Sequence, residues 1–162
     1  MTAYLLAVTF VTALIGTQPC GSMANINLDS FAVGDCVEVY YTAPTVRATI
    51  NLVSEKGDLV LHCAYRVKYS SQRNTVLLNT KLAGNAWNPR TRVLVTGVRS
   101  TPGTTLEFVL CPIATNKVSV TLNGKLLANY TNKQIDITTV RHVTFNNYEG
   151  DAELEEMCVS YT

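Results

Sequence analysis

The chain has 162 residues, enough for one domain with a sizeable core. Hydrophobic residues make up 47% and charged residues 15%, a balance that excludes a disordered chain. With a net charge of +1, no global field draws it to nucleic acid or to a membrane surface.

Residues 1–22 carry no charged side chain, and residues 5–15 form an apolar run the length of a signal-peptide core. Gly16, Gly21 and Ser22 supply small residues near a cut. The run is too short to span a bilayer comfortably, so no membrane span is expected. The expectation is a signal peptide over 1–22, a single domain over 23–162, and a secreted, extracellular protein. The five cysteines, Cys20, Cys36, Cys63, Cys111 and Cys158, contain no C-x-x-C pair, and there are only two histidines. A zinc site is therefore not expected, and nothing implies a cofactor. An oxidising compartment allows one or two disulfides with one thiol left over; Cys63 reads as a small core hydrophobe.

Short alternating runs follow at 36–41, 48–53, 59–68, 75–79, 92–97, 106–111, 117–122, 135–138, 142–146 and 155–161. Turn residues separate them: Lys56-Gly57-Asp58, Gly84-Asn85, Pro102-Gly103, Asn123-Gly124 and Glu149-Gly150-Asp151. Asn123-Gly124 between apolar runs is a strong two-residue hairpin signal. No long helical period interrupts them. The pattern predicts an all-β, two-sheet antiparallel sandwich.

Within it, Leu59, Leu61, Cys63, Tyr65 and Val67 alternate with Val60, His62, Ala64, Arg66 and Lys68. The first set suits a core; the second presents His62 and Arg66 roughly 13 Å apart along one strand. Thr75, Leu77 and Asn79 share a face opposite Val76 and Leu78, and the only tryptophan, Trp87, precedes Arg90 and Arg92. Imidazole, guanidinium and carboxamide can serve sugar hydroxyls, while an indole stacks on the apolar face of a pyranose. The same residues also suit a tryptophan plugging a sheet edge among surface polar groups.

His62-x-Ala64-x-Arg66, then Val76-Leu77-Leu78-Asn79, then Trp87 with Arg92 five residues on, resembles the galectin pattern H-x-N-x-R, V-x-N, W-x-x-E-x-R. The flanking runs beginning at Phe31, Ile50 and Val118 resemble that family too, over roughly residues 30–161. The resemblance implies a jelly-roll sandwich and a non-enzymatic β-galactoside site. His62 and Arg66 would contact a galactose hydroxyl, Asn79 the exocyclic hydroxyl, and Arg92 the neighbouring subsite, with Trp87 under the ring. The implied partners are galactose-containing glycans on glycoproteins or glycolipids, and a homodimer stays open. Most galectins are made without a leader, so secretion sets this chain apart. Two positions depart from the pattern. Ala64 replaces an asparagine. Arg90 replaces a glutamate that would hold the arginine equivalent to Arg66, so a cation is expected to face a cation there. A galectin-fold structural or adhesion module that has lost sugar binding is the alternative.

Charge is placed unevenly. Between Asp58 and Glu107 there is no acid, while Arg66, Lys68, Arg73, Lys81, Arg90, Arg92 and Arg99 all fall there. Guanidinium forks bind sulfate and carboxylate, so Arg90 is expected to shift preference toward anionic glycans. The acids gather at Glu149, Asp151, Glu153, Glu155 and Glu156. Asp151, Glu153 and Glu155 alternate near glycosidase carboxyl spacing but lie far in sequence from Trp87, so no catalysis is expected. Asn129-Tyr130-Thr131 is an N-glycosylation sequon, open to a glycan on a secreted chain.

Overall fold

The structure, a computed structural model, describes residues 20–22, 24–148 and 152–162. The expected leader lies almost wholly outside these residues, as do Glu149, Gly150 and Asp151. The chain runs β1 (Asn25–Asn27), β2 (Cys36–Thr42), β3 (Arg47–Ser54), β4 (Leu59–Tyr69), β5 (Gln72–Lys81), β6 (Val93–Thr96), β7 (Thr105–Ala114), β8 (Lys117–Leu122), β9 (Lys125–Thr131), β10 (Val140–Tyr148) and β11 (Leu154–Ser160). Two antiparallel sheets result, ordered β1-β10-β3-β4-β5-β6 and β11-β2-β7-β8-β9. Among the described residues the helical segments are 3-10 turns at Pro89–Thr91 and Ile137–Thr139. No helix among them is long and apolar enough to cross a membrane.

Period-2 alternation builds the sandwich. Ala48, Ile50 and Leu52 of β3, Cys63 and Tyr65 of β4, and Val76 and Leu78 of β5 meet Val37, Val39 and Tyr41 of β2 and Phe108 and Leu110 of β7 in one core. Tyr41 sits 5.7 Å from Phe108 and 5.0 Å from Phe145, ring to ring, tying the two sheets together. Asn123 and Gly124 both take positive φ, as the tight β8–β9 hairpin demands. Cys20–Cys158 and Cys36–Cys111 are disulfide-bonded, and Cys63 is a buried free thiol.

Four details differ from the sequence reading. Val60 was expected beside His62 on the outer face but is fully buried in the core. Leu61 pairs with Leu52 and Leu59 with Val53, so Val60 is the extra residue of a β-bulge that reverses the parity of the strand. Its carbonyl accepts from Thr80 Oγ1 at 3.2 Å and Asn132 Nδ2 at 2.8 Å, so the bulge leaves no unpaired acceptor. Residues 135–138, read as a strand, instead lead into the 3-10 turn that Asp136 caps through Thr138 N. The short β1, which pairs with β10, was not among the runs read as strands. Nor was β9, whose alternation is broken by a bulge: Val120 pairs with Ala128 but Thr121 with Leu126.

Candidate functional site

Strand register lays the outer face of the six-stranded sheet out as three rows, roughly 7 Å apart along the strands. Pairing places Tyr148 opposite Arg47, Arg47 opposite Arg66, and Arg66 opposite Thr75: an arginine row. Asn146, Thr49, Ala64 and Leu77 follow in a middle row. Thr144, Asn51, His62 and Asn79 make a histidine row. A groove of about 500 Å³ runs over them, lined by His62, Arg66, Asn79, Trp87 and Arg92, with Arg47, Tyr69, Leu77, Pro89 and Tyr148.

The histidine row is closely bonded. Asn51 Nδ2 donates to Thr144 Oγ1 at 3.1 Å, which leaves Asn51 Oδ1 as the acceptor 2.6 Å from His62 Nδ1. In that arrangement Nδ1 carries the imidazole proton and Nε2 is left as an acceptor. Burial, then the charges of Arg66 and Arg47, push the His62 pKa down to about 4, so the ring is neutral at physiological pH. The imidazole packs 4.8 Å from the indole of Trp87. Asn79 is held from the other side: its Oδ1 accepts from Thr80 N at 2.9 Å and Thr91 Oγ1 at 2.7 Å. Its carboxamide Nδ2 is thereby oriented as a donor.

Trp87 lies in the loop between β5 and the 3-10 turn. Asp58 Oδ1 accepts from Ala83 N at 2.9 Å at the start of that loop. Asn88 caps the turn through Arg90 N, also at 2.9 Å. Gly84 supplies the positive φ that reverses the chain. The indole is 44% exposed, with Lys81 Nζ 5.5 Å from its ring. It is therefore a platform on the sheet surface and not a plug of the interior.

The arginine row is different. Arg47 has its guanidinium carbon 3.7 Å from the Tyr148 ring and 4.2 Å from the Tyr69 ring. Arg66 donates to Gln72 Oε1 and lies 4.9 Å from the Tyr69 ring. Burial lowers the pKa of Arg66, and the charges of Arg47 and Arg92 lower it further. Sequence reasoning missed Arg47, Tyr69 and Tyr148, which reach the groove only through the register of β10, β3 and β4.

Arg90 is the exception among the residues singled out from sequence. It is exposed on the 3-10 turn and does not line the groove. The cations acting on Arg66 are Arg47 and Arg92, and Gln72 stands as its hydrogen-bond partner. Ala64 is fully buried in the middle row and, like Arg90, is not among the residues lining the groove. Glu153 and Glu155 lie beside and on β11, in the opposite sheet, where Glu155 accepts from Thr105 Oγ1 at 2.9 Å.

Comparison with known proteins shows the family and the fold. The family pattern of the galactoside-binding lectins matches residues 23–158. Galectin b of Aplysina lactuca is 32% identical over 139 residues, covering 81% of this chain and 92% of that protein. A tetrameric galectin from the ball sponge Cinachyrella superposes with a TM-score of 0.74 at 22% identity, covering 88% of this chain and all of that one. A toad ovary galectin, solved in complex with N-acetylgalactose, superposes with a TM-score of 0.70 at 14% identity, over 85% of this chain and 98% of its own.

Proposed function

Because the chain belongs to the galectin family, the galactoside-binding lectins, we propose that its groove binds galactose-containing glycans non-covalently. His62, Arg66 and Asn79 serve the sugar hydroxyls, Trp87 stacks on the ring, and Arg92 reaches the adjoining residue. The observation that carries this reading is the half-exposed Trp87 indole, packed 4.8 Å from His62 over a groove shared with Arg66 and Asn79. A neutral imidazole and a tethered carboxamide offer one acceptor and one donor at fixed positions, as hydroxyl recognition needs. Galectins are lectins and not enzymes, and among the described residues no carboxylate lines the groove.

Two disulfides suit an oxidising compartment and support a secreted protein. The Cys20–Cys158 bond supports a mature chain that keeps Cys20, with a leader shorter than the expected 1–22. Asn129 is exposed on the edge strand β9, in the sheet opposite the groove, so a glycan there leaves the site open. A second reading, a galectin-fold module without sugar binding, draws on Ala64, which stands between His62 and Arg66 where the family pattern has a hydrogen-bonding asparagine.

Titrating lactose while following the fluorescence of the single tryptophan separates the two readings. Saturable binding is expected; in Trp87→Ala, which has no tryptophan to follow and is titrated by calorimetry instead, it should weaken at least about 30-fold, since truncating an anchor residue costs about 2 kcal/mol. A flat titration of the parent chain favours the silent module.

A further inference from the structure

The sequon Asn129-Tyr130-Thr131 takes no part in the groove. It lies on β9, an edge strand of the five-stranded sheet. Tyr130 is fully buried and turns inward, its hydroxyl 2.5 Å from Thr80 Oγ1. Strand parity therefore turns Asn129 and Thr131 outward together. Asn129 is exposed, stands opposite Ser119, and has no further strand beyond it among the described residues. The sugar groove occupies the outer face of the other sheet. One molecule thus carries a glycan attachment point and a galactoside site on its two opposite faces, with the packed sheets between them. The two faces also differ in sign. Glu38 and Glu107 lie within hydrogen-bond reach of the Tyr40 hydroxyl on the β9 side, whereas Arg47, Arg66 and Arg92 line the groove.

We propose that a galactose-terminated N-glycan on Asn129 is a ligand for the groove of a second copy of this chain, so that copies link front to back. The proposal rests on the galactoside reading and on passage through a secretory compartment, and it names a partner for that site. Attachment moves a glycan from a lipid diphosphate carrier to Asn129 Nδ2. The anomeric carbon gains a bond to nitrogen, its bond to the carrier phosphate breaks, and the amide proton leaves with the carrier. Galactose is then added to the glycan tips from a nucleotide-activated galactose, and the nucleoside diphosphate departs. A lone groove holds one glycan and links nothing. A groove on one face and its ligand on the other make each copy two-ended, and such a heterologous contact repeats instead of closing on a pair. To fill its own groove the glycan has to turn round the sheet edge, whereas the groove of a neighbour lies ahead of it. The acidic face of one copy then approaches the basic face of the next, so like charge does not oppose the contact.

The test uses the full chain secreted from cells that cap N-glycans with galactose, with sialic acid trimmed off by sialidase. The Kd for lactose is first measured on Asn129→Gln, which lacks the glycan. Sedimentation of the glycosylated parent near that concentration should give a weight-average mass about twofold higher without lactose than with excess lactose, as expected for an open series of equal links. Sucrose should leave the mass unchanged. Asn129→Gln and a galactosidase-treated parent should show no lactose-dependent mass, while Thr131→Ser, which keeps the sequon, should behave as the parent. Trp87→Ala, with a glycan but a weakened groove, should not associate alone; mixed with Asn129→Gln it should form pairs that lactose dissolves. A glycosylated parent that binds lactose yet keeps one mass overturns the proposal and leaves the galactoside reading intact. So does a secreted parent with no glycan on Asn129, or a lactose-sensitive association that survives in Asn129→Gln. Association that is lost in Asn129→Gln but indifferent to lactose and to galactose removal overturns the proposal and the galactoside reading together, as does a parent that neither binds lactose nor associates.

Discussion

The two ends of the groove are built on the same strands and behave in opposite ways. In the histidine row, Thr144, Asn51 and His62 are joined by hydrogen bonds, and Asn79 accepts two of its own. In the arginine row, Thr75 Oγ1 and the Nε atoms of Arg47 and Arg66 have no hydrogen-bond partner among the described residues, and two like charges face each other. The first end is finished by the protein itself, so its geometry is set before any ligand arrives. The second carries a stability cost in the free protein, because buried donors without acceptors and adjacent cations both disfavour folding. That contrast separates an end of the groove whose side chains are already bonded to one another from an end that leaves buried donors unserved among the described residues.

The contrast can be broken or sharpened by measurement. The largest expected effect is on pH dependence. His62 titrates near 4 in the fold and near 6.5 in the unfolded chain. Between those values the unfolded chain takes up the proton first, so stability is full above pH 6.5 and is lost as pH falls toward 4. The loss from this residue is about 3 kcal/mol, and the His62→Gln variant should lack that slope in urea midpoints. An unchanged slope removes the neutral-histidine account. Next comes a matched pair of stability variants. Asn51→Ala strands a buried imidazole N–H and should destabilise by about 2 kcal/mol. Thr75→Val deletes a buried, unpartnered hydroxyl at equal volume and should stabilise by about 1 kcal/mol. Thermal melts of both decide whether the two rows differ as described; a loss of stability in Thr75→Val denies it. The smallest effect is expected at Arg90→Ala, which should leave lactose and sulfated-lactose affinities within about twofold, as surface substitutions usually do. A larger loss returns Arg90 to the site.

Much of this was legible in the chain, for physical reasons that also explain the gaps. Alternation around Cys63 and Val76 gave the core faces, because a strand buried on one side must repeat every two residues. The same parity put His62, Arg66 and Asn79 together, and a lone tryptophan after a Gly-Asn turn marked the platform. Arg47 was not legible. Its closeness to Arg66 depends on the offset of β3 against β4, which no local pattern encodes. Tyr148 is farther still, reaching Arg47 only through β10. Val60 and β9 were misread at bulges, where one extra residue reverses the alternation that the reading relies on. Arg90, expected in the site, is exposed on the 3-10 turn and is not among the residues lining the groove; the spacing of a sequence motif alone does not fix where a side chain on such a turn lies.

The inserted residue at Val60 has a bearing beyond its own burial. It divides β4 into two lengths whose phases are set separately, with Thr80 clamping the joint from the strand beside it and Asn132 from the loop that follows β9. Changes in the connection from Ser54 to Asp58 can thus be absorbed at the joint without rotating the imidazole out of the binding surface. A lineage of such chains is free to remodel that rim of the molecule while the sugar-facing half of the strand keeps its orientation.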